Sequence, residues 1–194
     1  MALETGTGVR VMEPCGAQGN YDTRIVSENA ILIDKDLIVD LYTGFEKLLR
    51  FVGGLLYTAS KKAGSMTAQR LIEKGFLSEG NAVDLLLWTF TASGYADKVV
   101  IEKVELGWRD TKLHLAVYNT LLGSRLRDKK KPVDQPLAGF LAGWLEKVYG
   151  VRVDGKETKC MSQGYDHCEF EIKIHRKMPE LKNMEGYTVG KCRA

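Results

Sequence analysis

From Asp36 onward, apolar residues recur every three or four positions, at Leu37, Leu41, Phe45, Leu48, Leu49 and Val52. That spacing predicts a helix with one buried face. A second helical stretch spans about 55–74 and meets Gly75, a residue suited to a C-cap. Ser78 opens a third helix with Ala82, Leu85, Leu86 and Phe90 on one face, which stops near Gly94. The period then shortens to two. Lys98–Leu106 and Thr111–Tyr118 read as strands around a hairpin-like connection at 107–110. Asp134-Gln135-Pro136 opens a further helix, with proline near its first turn. It carries Leu137, Phe140, Leu141, Trp144, Leu145 and Val148, and ends at Gly150. Two strands follow, at about 151–159 and at Cys168–Ile174.

Helices, a hairpin, one helix and a second hairpin make an α+β order: an antiparallel sheet with helices packed on one side. Residues 1–23 are glycine-containing and without period, and 24–33 could form a strand. We therefore divide the chain into an N-terminal arm at 1–29, a domain at 30–175 and a tail at 176–194. The polar stretch 178–194 is expected at the periphery.

Composition narrows the class. Hydrophobic residues make up 44% and charged residues 27% of 194 positions, as in a folded globule and unlike a disordered chain. Four cysteines are too few for a disulfide framework. No apolar run reaches the roughly 18–20 residues of a membrane span. The start, MALETGTGVRVMEP, lacks the basic residues and apolar stretch of a signal peptide, so a cytoplasmic location is expected. A net charge of +3 does not point to nucleic acid. The basic cluster Arg125, Arg127, Lys129, Lys130 and Lys131 reads as a solvated loop. Gly6-Thr7-Gly8 lacks the third glycine and preceding strand of a dinucleotide loop. We find no phosphate loop, no Ser-His-Asp order and no nicotinamide or flavin motif.

The chemistry concentrates in GKETKCMSQGYDHCEFEI. Cys160 and Cys168 flank a turn containing Gly164, so a hairpin would bring them together. Glu157 lies three residues before Cys160, on the opposite face of a straight strand, so the chain must bend at Cys160 for the two to share a target. Two thiols can be metal ligands, buried small hydrophobes or a redox pair, and the spacing alone leaves these open. Asp134, two residues before Pro136, suits a helix N-cap.

The run Glu157-x-x-Cys160-x-x-x-Gly164-x-x-x-Cys168-x-Phe170 resembles the signature of the 4-vinyl reductase domain family. That family is named from a protein linked to bacteriochlorophyll synthesis. It includes sensor domains of phenol- and toluene-responsive activators and stand-alone archaeal proteins expected to bind hydrocarbons. Its fold is of the TRAPP and NO-signalling type. The resemblance covers about 30–175. It implies a structural zinc ion on Glu157, Cys160 and Cys168, with Asp134 where phenol-sensing relatives have a third cysteine. Aspartate can ligate zinc, and Lys156 and Lys159 could offset the added charge. If Asp134 only caps its helix, His167 or water would complete the shell. Four protein ligands leave no open position, so the resemblance implies no zinc catalysis.

The same resemblance implies an apolar cavity for an aromatic guest near the metal. Wall candidates are Trp88, Phe90, Trp108, Tyr118 and Trp144, with His114 on the strand face of Tyr118 as a hydrogen-bond donor. Each of these is equally at home in an ordinary core. Gly139-x-x-x-Gly143, and Gly64 among Ala59, Ala63 and Ala68, allow close helix approach in a cavity wall, a homodimer or internal packing. The leading expectation is thus a small-molecule-binding or sensing domain, which these residues favour over an enzyme. The alternatives are a tetrapyrrole 4-vinyl reductase or accessory factor, and a TRAPP-like scaffold. A chain of this length has no room for an ATPase and a helix-turn-helix unit, so signalling would pass to a separate partner. Roles for Cys15 and Cys192 do not follow from the sequence.

Overall fold

The computed structural model describes residues 2–4, 10–12, 14–19, 21, 25, 33–48 and 52–191. The strand considered for 24–33 lies outside these, apart from Ile25 and Ile33. Three short strands come first: β1 (Ala2–Glu4), β2 (Arg10–Met12) and β3 (Pro14–Cys15). Helices α1 (Lys35–Leu48), α2 (Val52–Glu73) and α3 (Ala82–Ala92) follow. Then come β4 (Lys98–Leu106), β5 (Thr111–Tyr118), α4 (Gln135–Tyr149), β6 (Val153–Lys159), β7 (Cys168–Ile174) and β8 (Thr188–Lys191). β1 and β2 form a separate antiparallel pair. The other six strands form one antiparallel sheet in the order β3-β8-β4-β5-β7-β6. The α+β reading holds, with α3 and α4 against the sheet and α2 against α4.

Alternation sets the two faces of the sheet. Ile101, Leu113, Leu115, Val117, Phe170 and Ile172 are buried toward the helices. The other face carries Lys98, Lys112, Glu169, Glu171 and Lys173, as on a solvated antiparallel sheet. α3 differs from its expected single apolar face. It is buried nearly all round, from Ala82 to Trp88. A helix can be so only where something covers its outer side, and the arm and tail do this. Buried Asp84 accepts bonds from Gln18 N–H (3.3 Å), Gly19 N–H (3.0 Å), Tyr21 Oη (2.6 Å) and Tyr187 Oη. The sheet therefore runs on into segments that the sequence assigned to arm and tail, and β8 lies inside it rather than at the periphery.

α2 and α4 meet at their glycines. A Cβ on Gly143 would stand 1.8 Å from Lys61 O, one on Gly139 2.2 Å from Tyr57 O, and one on Gly64 2.3 Å from Phe140 O. The small residues thus serve internal packing of backbone on backbone. α2 also covers the edge strand β6: Lys61 Nζ donates to Val153 O (2.7 Å) and Gly155 N–H to Tyr57 Oη (3.2 Å). α4 ends where Gly150 turns left-handed at φ 63° and its N–H returns to Glu146 O.

α1 keeps little of its apolar stripe inside. Tyr42 is buried, while Leu37, Leu41, Phe45 and Leu48 are exposed, Leu48 by 80%. Ion pairs tether this helix to the basic loop: Glu46 to Lys129 and Lys131 (2.8 Å each), and Asp36 to Arg125 (3.0 Å). Much of the loop's charge is thus matched within the molecule. No helix among the described residues is long and apolar enough to cross a membrane.

The glycine contact gives a direct test. Gly143→Ala should destabilise the fold by about 1–3 kcal/mol through overpacking, read from urea unfolding followed by tryptophan fluorescence. An unchanged midpoint would show that the α2–α4 contact tolerates a methyl group.

Candidate metal centre

Asp134, Glu157, Cys160 and Cys168 come together in the buried interior, each offering a ligand atom, all within 4.8 Å of one another. Each arrives for a local reason. Cys168 starts β7 opposite Val117, on the helix-facing side. Glu157 faces Phe170 on that same side. A register shift between Glu157 and Lys159 inserts one extra residue. This bulge resets the alternation, so Cys160 returns to the face of Glu157. The required bend thus lies at Thr158, two residues before the position expected.

Asp134 settles between the two readings of its role. It stands at the N-cap of α4, and its carbonyl accepts from Leu137 N–H (2.9 Å) and Ala138 N–H (3.2 Å), but its side chain makes no cap bond. The carboxylate turns inward instead. Oδ2 accepts from Thr120 Oγ1 (2.6 Å) and Gly123 N–H (3.1 Å), and lies 3.4 Å from Cys168 Sγ. Glu157 Oε2 accepts the Asp134 N–H at 2.9 Å. Ser162 Oγ bonds Cys160 Sγ (3.0 Å), and Met161 N–H points to Cys168 Sγ (3.3 Å).

The donor set fits a divalent cation. Asp134 Oδ1 and Glu157 Oε1 are buried without a hydrogen-bond partner. Such orphans call for a further partner. The two sulfurs are 3.6 Å apart. Zinc–sulfur bonds of about 2.3 Å in a tetrahedron set a sulfur–sulfur edge of about 3.8 Å. Electrostatics agree. Burial raises Asp134 to about 6 and, with the charge of Asp134, pushes Glu157 up strongly. Cys168 is raised by its bond to Cys160 and by burial, while the bond from Cys168 holds Cys160 low. Crowded acids in a dry corner keep protons or share a cation.

Two residues unread in the sequence complete this corner. Thr120 bonds Asp134, lies 3.4 Å from Cys168 Sγ and accepts from Gly123 N–H. A Cβ on Gly123 would stand 2.8 Å from both Asp134 Oδ2 and Cys168 Sγ. Three expectations change. His167 is not in the group; it stacks on Tyr118 with ring centroids 5.1 Å apart. Lys156 and Lys159 do not offset its charge. They pair with Glu171 (3.4 Å) and Glu169 (3.0 Å) on the outer face.

The five aromatic and histidine positions named for a pocket are dispersed. Trp108 sits on the β4–β5 turn, 87% exposed. Trp88 packs against Tyr21, and Trp144 is fully buried with Nε1–H donated to Ala82 O (3.1 Å). His114 and Tyr118 share a face as expected, but it is the outer face, where Lys98 lies over the Tyr118 ring. Parity along a strand fixes which residues share a side, not which side meets the helices. An apolar cavity of about 360 Å³ lies elsewhere, among Phe90, Tyr95, Pro136, Leu137 and Phe140, with Ser60, Thr89 and Ser93 also lining it. Of the wall candidates, Phe90 belongs to it. Phe90 meets Tyr95 and Phe140 edge to face, at 5.7 and 5.5 Å. Burial, then the charges of Asp134, Glu157 and Cys168, hold the Tyr95 phenol protonated, so Tyr95 links cavity and centre.

This two-layer architecture is shared with solved proteins. It aligns with the phenol-responsive sensory domain of the transcription activator PoxR, solved with phenol, at TM-score 0.62 and 17% identity over 75% of this chain and 76% of that one. A trafficking protein particle complex subunit 3 from Naegleria fowleri, covalently bound to palmitic acid, aligns at TM-score 0.52 and 16% identity over 74% and 96%. Residues 113–174, which hold all four donors, match the family model of the 4-vinyl reductase domain, so this part of the chain is a domain of that family. The uncharacterized protein MJ1460 of Methanocaldococcus jannaschii is 42% identical over 45 residues. The matches span 24–40% of the length of the curated relatives found.

Gly123→Ala should lower zinc or cobalt affinity about tenfold or more, as do changes beside a ligand set. Competition with a chromophoric chelator measures this. Wild-type affinity in the variant would separate Gly123 from the centre.

Proposed function

We propose that this chain binds a small apolar or aromatic molecule in the cavity between α2, α3 and α4, beside a structural zinc ion. Asp134, Glu157, Cys160 and Cys168 would hold the ion. All four positions are protein atoms, so the ion would cross-link the start of α4 to the β6–β7 hairpin rather than act on a substrate. One observation carries the reading. The cavity wall at Pro136 and Leu137 is the first turn of the helix whose N-cap carboxylate belongs to the buried donor group. Three aromatic rings suit a flat guest, and Tyr95 would meet a polar atom on its rim. The phenol held by the structurally similar sensory domain supports this choice. A homodimer through the exposed stripe of α1 is part of the proposal, since contiguous exposed apolar residues mark interfaces.

Native mass spectrometry of the purified chain should find one zinc per subunit, two subunits and a retained apolar compound. Zinc-free, empty chains would overturn the reading. Phenols and alkylbenzenes should raise the melting temperature, with about 2.7 kcal/mol of stabilisation at a hundredfold excess over Kd. Ser60→Phe, which fills the cavity, should remove the shift. Cys160→Ser should lose zinc and melt lower. Phe45→Glu should shift light scattering to the mass of one chain, and an unchanged mass would clear α1 of that contact.

A further inference from the structure

A second cleft, of about 350 Å³, lies across the fold from the metal centre, where Tyr149 at the end of α4 faces the 3-10 turn Pro179–Met184, the turn Glu79–Asn81 and the arm. Its polar lining is Gln18, Glu79, Tyr149, Glu180 and Asn183, with Met178 on its apolar side. Tyr149 is 3% exposed, and its hydroxyl has no hydrogen-bond partner among the described residues. A buried hydroxyl without a partner costs stability, so its retention is informative. The charges are unbalanced. Arg176 pairs with Glu79 (2.7 Å), donates to Tyr149 O (3.3 Å) and lies over the Tyr149 ring at 5.2 Å. Glu180 has no ion-pair partner among the described residues, and no cationic side chain lines the cleft. Burial, then the charges of Glu180 and Glu79, raise the phenol of Tyr149, so both carboxylates act on that ring.

We infer that this cleft is a binding site for a small organic ammonium ion. The ammonium would donate to the Tyr149 hydroxyl oxygen, to the Glu180 carboxylate and to the amide oxygens of Gln18 and Asn183. Its alkyl part would lie on Met178. An anion would meet two carboxylates, and a neutral alcohol would leave Glu180 uncompensated.

Isothermal titration with n-butylammonium and putrescine tests this, with n-butanol and butyrate as controls. The cations should bind saturably and more weakly as salt is raised, because the site is partly open to solvent. The controls should not bind. Glu180→Gln, on an exposed side chain, should weaken binding about tenfold by removing a charge-assisted contact. Tyr149→Phe should weaken it while leaving thermal stability equal or higher, since it deletes an unsatisfied group. Butanol binding as well as butylammonium, no saturable binding, or wild-type affinity in both variants would each overturn the proposal. Ser60→Phe in the apolar cavity should leave this binding intact, which keeps the two sites' tests apart.

Discussion

Two carboxylates and two thiols share one dry corner of this molecule, and four stretches of chain end there. The start of α4 brings Asp134, the end of β6 brings Glu157 and Cys160, and the start of β7 brings Cys168. The 120–123 turn closes over them. Burying such groups without a counter-ion is expensive. The cost falls when protons stay on, as the raised Asp134 and Glu157 indicate, or when a cation is shared. Everything built from those four stretches inherits the solution to that one problem.

The apolar cavity depends on the same corner. Leu137 and Pro136 lie on the turn that Asp134 begins, and Tyr95 stands between the rings and the acids. The α2–α4 glycine contact sets the distance between the other walls. A rigid backbone contact on one side and a buried polar knot on the other leave the space between them little freedom to collapse.

Much of this was readable from the chain. Long periodic helices and the two central hairpins announce themselves, and the Glu-Cys-Cys spacing points to the centre. Three things were not readable. The segment at 119–133 has no period, so nothing in it marks Thr120 or Gly123 as neighbours of the acids. The strand at 188–191 is only Thr-Val-Gly-Lys, with one core-facing side chain, and looks like tail. The outward turn of Tyr118 and His114 needed the sheet's partner helices, since alternation is symmetric between its two sides. Asp84 shows the same gap. A lone acid in an apolar helix reads as a solvated residue until the segments that donate to it are in place.

The strand order carries a consequence for how the molecule is made. β8, nearly the last segment synthesised, lies between β4 and β3, the latter nearly the first. The early segment cannot take its place until the late one has been threaded beside β4, and Asp84 waits for donors from both. On a ribosome the helices and the central strands can assemble first. The closing of this border is left to contacts of the greatest sequence separation, which are the slowest to form.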